Sequence, residues 1–211
     1  MIKENPAGQK SRIHLPDGSF VNLNAGSYLK YADDFNNNRS VELVGEAFFE
    51  VQKRPEAPFR VTSKGIVPTA LGTSFNIKAY KATGLVEVAL ATGKVSVEDT
   101  FSQSKLLLLP GQMATKLDAS NQLVMSETDA KIIGQWRNGI LLFDSTPLAN
   151  VINSLENWYD VEIMVQGDVS GILCSGTFDN EYLDNVLDVL SHTIGFEFQI
   201  ENKVVTINLK N

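Results

Sequence analysis

The sequence predicts a mainly β protein with an α/β C-terminal part: an all-β sandwich, jelly roll or short solenoid, followed by a small duplicated βαβ domain. Three observations lead to this prediction. Apolar and polar residues alternate in short runs over 11–115, two amphipathic helical stripes follow Trp136, and the region that carries the stripes repeats itself. The predicted domains are residues 1–115 and 136–211, joined by a connector at 116–135.

The predicted β domain contains roughly ten to twelve short strands. Val41, Leu43 and Val44 illustrate the alternation, and turn signals such as Pro16-Asp17-Gly18 and Thr92-Gly93 separate the runs. Almost no segment between these turns is long enough for an amphipathic helix. We therefore expect this part to be all β.

The first predicted helix follows Trp136. Thr146 is predicted to cap it and Pro147 to occupy its first position, because both residue types are favoured there. The apolar residues from Leu148 to Leu155 recur at helical spacing and form one stripe. The sequence predicts about three helical turns here.

A second helix belongs to an internal repeat with an offset of 35 residues. It is predicted to be capped by Asp179 or Asn180, to carry a stripe that begins at Leu183, and to end at Gly195. The identical pairs of the repeat are Phe143/Phe178, Asp144/Asp179, Leu148/Leu183, Asn150/Asn185, Val151/Val186, Leu155/Leu190 and Glu162/Glu197. Each copy is predicted to run strand, helix, strand, with a final strand closing the chain.

Charge divides the chain and limits its partners. The net charge is −7, but residues 1–115 carry 13 Lys and Arg against 11 Asp and Glu, whereas residues 116–211 carry 5 against 14. Binding to a phosphate backbone needs several positive contacts, so nucleic acid is not an expected partner. Cys174 stands alone and is predicted to be a small buried hydrophobe.

Residues that could support catalysis do not form a recognisable pattern. His14 and His192 are far apart, and Glu46 and Glu50 would lie about 13 Å apart on one strand. We expect no catalytic residue, no metal, no cofactor and no enzymatic activity. No apolar run approaches the roughly 20 residues of a membrane span, and no secretory signal is visible, so we expect a piece of a longer protein.

Six motifs in the first part resemble the FecR domain. They occur in the order LPDGSFVNLNAGSYLKY (15–31), GEAFFEV (45–51), PFRV (58–61), LGTSFNIKAY (71–80), LATGKVSV (90–97) and LLPGQMA (108–114). The C-terminal part resembles the domain that follows FecR domains, itself similar to the short secretin and TonB N-terminal domain. The stretches that carry this second match are 136–163 and 176–190.

The resemblance implies a regulator of an extracytoplasmic-function sigma factor, anchored in the inner membrane, whose periplasmic part is present here. It implies that this part binds the N-terminal signalling domain of a TonB-dependent outer-membrane transporter, while the sigma factor is reached only through a cytoplasmic part that the sequence lacks. The acidic C-terminal part is the expected receiving surface, by electrostatic steering or by strand pairing. Its candidate residues are Asp160, Glu162, Asp179, Asp184 and Asp188. The alternative is a secreted carbohydrate-binding or glycan-processing β-sandwich.

Overall fold

The computed structural model describes residues 1–117 and 122–209, which separate into two units with a boundary between Gly134 and Gln135. The first unit is all β, as predicted. Its strands are β1 (Ile2–Asn5), β2 (Ser11–His14), β3 (Phe20–Leu23), β4 (Ser27–Tyr31), β5 (Ser40–Glu50), β6 (Phe59–Thr62), β7 (Ile66–Ala70), β8 (Ser74–Ala79), β9 (Leu85–Thr92), β10 (Val95–Asp99), β11 (Lys105–Leu108), β12 (Gln112–Leu117) and β13 (Val124–Glu127).

These strands form two groups that share β5. The first group has the order β1-β4-β5-β6-β7-β10-β11, and the second has the order β2-β3-β5-β8-β9-β12-β13. Gly45 lies where β5 passes from one group to the other. Its φ is +97°, and a Cβ at this position would lie 2.2 Å from Ser27 Oγ, so the passage requires glycine.

The alternating apolar residues of both groups bury one core. Phe49, Phe59 and Phe75 are fully buried there, with ring pairs that are 5.1 Å and 5.9 Å apart. On strands such as β7, β8 and β10, buried residues alternate with more exposed ones, so that one face of the strand turns toward the core. This core holds the first unit together.

Two buried ion pairs join segments of the first unit that are distant in sequence. Arg39 donates to Asp17 Oδ2 (2.7 Å) and to the carbonyl oxygens of Gln52 and Ala57, and both charged side chains are almost completely buried. Lys116 Nζ lies 2.5 Å from Asp99 Oδ2. Burial alone would raise the pKa of Asp99, but hydrogen bonds from Lys116, Ser102 and two backbone N–H groups hold it below its ordinary value.

Part of the predicted connector belongs to the first unit. β12 extends to Leu117 and pairs with β9, and β13 pairs with β12. The first unit then runs on to Gly134. Of the connector predicted at 116–135, residues 118–121 lie outside the described part of the chain.

The second unit contains β14 (Ile140–Pro147), α1 (Leu148–Tyr159), β15 (Glu162–Gln166), β16 (Leu173–Asp179), α2 (Leu183–Ile194), β17 (Phe196–Glu201) and β18 (Val204–Leu209). An offset of 35 residues places both ends of α1 on both ends of α2. The repeat therefore defines two equivalent strand–helix–strand elements. The strands of each element lie in different sheets, because β14 pairs with β16, whereas β15 and β17 both pair with β18.

The helix ends differ in part from the predictions. Gly195 ends α2 in the left-handed conformation as predicted, and Asp160, its equivalent in the repeat, ends α1 in the same way. The predicted N-caps are wrong, since Pro147 and Tyr182 precede the helices and neither makes a side-chain cap bond. The hydroxyl of Thr146 bonds to the backbone of Asp144 instead.

The two equivalent leucines are not equally buried. Leu148 is 1% exposed, whereas Leu183 is only half-buried. The backbone N–H of Leu148 donates to the carbonyl oxygen of Ile172, which also packs on the core of this unit, while Leu183 follows the exposed Tyr182. The N-terminus of α2 therefore lies closer to solvent than the N-terminus of α1.

Candidate partner-binding surface

The five predicted acidic residues are all exposed on the second unit. Asp160 follows α1, Glu162 begins β15, Asp179 ends β16, and Asp184 and Asp188 lie one turn apart on α2. They do not form one compact cluster. The structure instead arranges them as two pairs and one separate residue.

The first pair, Asp160 and Glu162, contacts Lys203. Lys203, in the turn between β17 and β18, forms an ion pair with Asp160, and its carbonyl oxygen accepts a 2.8 Å hydrogen bond from the backbone N–H of Glu162. The charge of Asp160 is therefore partly compensated within the chain. No feature of the sequence predicts that Lys203 pairs with Asp160, because the two residues are 43 positions apart.

The second pair lies on α2 beside the C-terminal end of α1. The hydroxyl of Tyr159 donates to the carbonyl oxygen of Glu181 (2.8 Å), and burial, with the nearby charges of Glu181 and Asp184, raises the pKa of Tyr159 to about 12. Glu181 also accepts from Asn185. Glu181 thus extends the acidic surface, although it was not among the predicted residues. The sequence feature that could have identified Glu181 is its position four residues before Asn185, a spacing at which helical side chains interact.

Asp188 and Asp179 differ in their surroundings. The carboxylate of Asp188 lies 3.7 Å from His192 Nδ1, and both side chains are largely in solvent. The carboxylate of Asp179 accepts a hydrogen bond from the side-chain amide of Asn180. Asp179 lies opposite Ile140 in the β14–β16 sheet and is separate from the other four predicted acids. The carboxylate contacts described for Glu181 and Asp188 are with Asn185 and His192, whereas Asp160 is paired with a lysine.

The second unit also presents open strand edges. In the described residues, β15 and β17 form the two edges of the sheet around β18. A groove of about 340 Å³ runs beside β17 and is lined by Ser191, Phe196, Glu197, Phe198, Gln199 and Asn208. An extended segment of another chain could pair with such an edge through its backbone and place side chains in the groove.

Glu46, one of the carboxylates considered for catalysis, is engaged in structural hydrogen bonds. Both oxygens of Glu46 accept from side-chain amides, one from Asn24 and one from Asn76, each at 2.8 Å. Burial raises the pKa of Glu87, an effect opposed by Lys78 and reinforced by Glu46. These hydrogen bonds hold the carboxylate of Glu46 on the strand face and stabilise that face.

Other candidate chemistry has simple structural explanations. Cys174 is 2% exposed, and burial raises the pKa of its thiol, which agrees with the predicted role of a small hydrophobe. Within residues 1–117 and 122–209, no cluster of three or more His, Cys, Asp and Glu side chains is suited to a metal ion. No helix of the same residues combines the length and hydrophobicity needed to span a membrane.

Comparison with known proteins supplies the context for this surface. A family model described as FecR protein matches residues 4–96, and one described as FecR, C-terminal matches residues 140–207. Two crystal structures of a candidate anti-sigma factor from Parabacteroides distasonis ATCC 8503 align with TM-scores of 0.94 and 31% identity, over 100% of this chain and 100% or 99% of theirs. No curated protein sequence matches this chain significantly.

Proposed function

Because the chain belongs to the FecR family of sigma-factor regulators, we propose that it is the signal-receiving region of such a regulator and acts in the periplasm. Its input is the N-terminal signalling domain of a TonB-dependent outer-membrane transporter, and its output reaches an extracytoplasmic-function sigma factor through a cytoplasmic part of a longer, inner-membrane protein. The observation that carries this proposal is the match, over 100% of both chains, to a candidate anti-sigma factor.

The proposed mechanism is recognition and transmission without turnover. The hydrogen-bonded state of Glu46 supports this, because its carboxylate already has two amide partners. It does not favour the alternative of a glycan-processing sandwich, which needs carboxylates that face a substrate. We therefore propose that the chain is not an enzyme.

The exposed acids of α2 supply electrostatic steering in this proposal. Asp184 and Asp188 lie on successive turns, Glu181 precedes them, and the residues from 136 onward carry 11 Asp and Glu against 3 Lys and Arg. Complementary charge raises the association rate of a basic partner surface, and salt weakens this effect. Strand pairing at the β17 edge then provides the short-range contacts.

The experiment measures association of this chain with a purified N-terminal signalling domain of a TonB-dependent transporter from the same organism. Stopped-flow or biolayer measurements from low to physiological salt give the association rate. We expect D184K/D188K to slow association about tenfold or more at low salt and to flatten its salt dependence. Circular dichroism confirms that the variant is folded.

The matched control is D34K/E56K, which makes the same charge change at exposed positions of the first unit. We expect its association rate to stay close to that of the parent chain. If both variants behave alike, the effect comes from net charge and the α2 surface is not the receiving surface. If none of the organism's signalling domains binds the chain, the proposed function is wrong.

A further inference from the structure

The first unit is built as an alternating series of hairpins. The hairpins β6–β7 and β10–β11 add to one group of strands, and β8–β9 and β12–β13 add to the other. Each later hairpin pairs with the earlier one in its group, β10 with β7 and β12 with β9. The series stops at β11 in one group and at β13 in the other.

We call β11, Leu109 and β13 the open end. Four apolar side chains there are largely in solvent: Leu107 (57% exposed), Leu109 (45%), Val124 (57%) and Met125 (46%). All four residues of β13 are exposed. Within the described residues, no strand pairs with the outer edge of β11 or of β13. The open end therefore offers apolar side chains together with the outer backbone edges of β11 and β13, which have no strand partner among the described residues.

The opposite end of the same two groups is different. Its edge strands β1 and β2 together carry three exposed charges, Lys3, Glu4 and Arg12, against one exposed large apolar side chain, Ile2, and these charges oppose the approach of another strand. Stacked units bury their apolar faces only against a neighbour, so the last one needs a polar cap or a partner. The open end has one charge per edge strand and no such cap among the described residues.

We propose that the open end is a self-association surface through which two copies of this chain meet end to end. Charge favours a second copy as the occupant, because β11 carries Lys105, whose 3.9 Å ion pair with Glu98 lies largely in solvent, and β13 carries Glu127. Placing β11 of one copy beside β13 of the other brings Lys105 and Glu127 together. A two-fold axis satisfies both contacts at once and closes the assembly. Residues 1–115, with 13 Lys and Arg against 11 Asp and Glu, add little repulsion.

Such a dimer extends both groups of strands and buries the four apolar side chains of each copy. It also holds two receiving units in one assembly. This inference does not depend on the identity of the transporter, since it concerns the first unit alone. The self-association proposal can therefore fail while the proposed function holds, and the proposed function can fail while self-association holds.

Sedimentation equilibrium of the whole chain over a wide concentration range tests the proposal. We expect reversible dimerisation, with a dissociation constant that L107K and M125K each raise at least about tenfold. The matched control is I2K, which changes an exposed apolar residue on the opposite edge strand β1 and is expected to leave dimerisation unchanged. Thermal unfolding verifies that each variant is folded.

A charge exchange tests the pairing itself. K105E, made together with E98K so that the ion pair within the chain is kept, and E127K are each expected to weaken the dimer, and the combination of all three changes to restore it. A chain that stays monomeric at every concentration, or a dimer that L107K and M125K do not affect, overturns the proposal. Slow amide hydrogen exchange of β11 and β13 seen only in complex with a transporter signalling domain would also overturn it, by assigning the open end to that partner.

Discussion

Replacing Arg39 tests a buried ion pair of the first unit. The Arg39 side chain is 1% exposed and that of Asp17 is 0% exposed, and the guanidinium also binds the carbonyl oxygens of Gln52 and Ala57. R39A removes every one of these donors. Asp17 retains the backbone N–H and hydroxyl of Ser19, but its charge loses its counterion.

The magnitude follows from these contacts. Breaking a buried ion pair by removing one partner costs about 3–5 kcal/mol, because the remaining charge stays buried without compensation. Total domain stability is about 5–15 kcal/mol, so the loss is a large fraction of it. We expect R39A to lower the midpoint of thermal unfolding by roughly 10 °C. R39K keeps the charge but lacks the planar fork, and should fall between R39A and the parent chain.

The assay is urea unfolding followed by circular dichroism, with R60A as the control. Arg60 lies on the neighbouring strand β6 and is exposed, so its removal should change stability by no more than about 0.5 kcal/mol. The double variant D17A/R39A should cost less than the sum of the single changes, since the second change removes a charge that was already uncompensated. A cost below about 1 kcal/mol for R39A would refute this reasoning.

Three further predictions concern stability. L148A should cost about 2–5 kcal/mol and L183A clearly less, because Leu148 is fully buried and Leu183 is half-buried; equal losses in urea unfolding would contradict this. The pKa of Asp99 is depressed in the folded protein, so its contribution to the free energy of unfolding is present above the unfolded pKa of about 3.9 and is lost as the pH falls below that value. K116M removes the partner of Asp99 and should therefore make the free energy of unfolding less dependent on pH in acid. An unchanged dependence of stability on pH would be evidence against the ion pair. Residues 135–211 should fold alone, and an unstructured fragment by circular dichroism would show that they need the first unit.

Local patterns in the sequence predicted most of the elements. The stripe that begins at Leu148 and the 35-residue offset located both helices, because a helix buries its apolar face at a fixed period. Gly195 was predicted to end α2, since glycine adopts the left-handed conformation without strain. Asp160 adopts it too, but aspartate gives a much weaker signal. Thr146 misled the prediction because its hydroxyl had a competing partner at Asp144.

Contacts between distant segments could not be predicted. Asp17 and Arg39 are 22 residues apart, and Asp99 and Lys116 are 17 apart, and no period links either pair. The same limit applies to the candidate surface. Composition located an acidic domain, but only the structure shows that Lys203 compensates Asp160 and that Tyr159 and Glu181 adjoin Asp184.

The exchange of strands between the two repeated elements has a consequence for synthesis of the second unit. β15 pairs with β18, the last strand of the described chain, and β14 pairs with β16 from the second element. A ribosome that has released only the first element has therefore produced a helix whose two flanking strands both lack partners. The exposed edges are open to incorrect pairing until β16 and β18 have also been made. The sheets of the second unit can consequently be complete only after both elements and β18 have emerged, whereas the hairpins of the first unit can be added one after another.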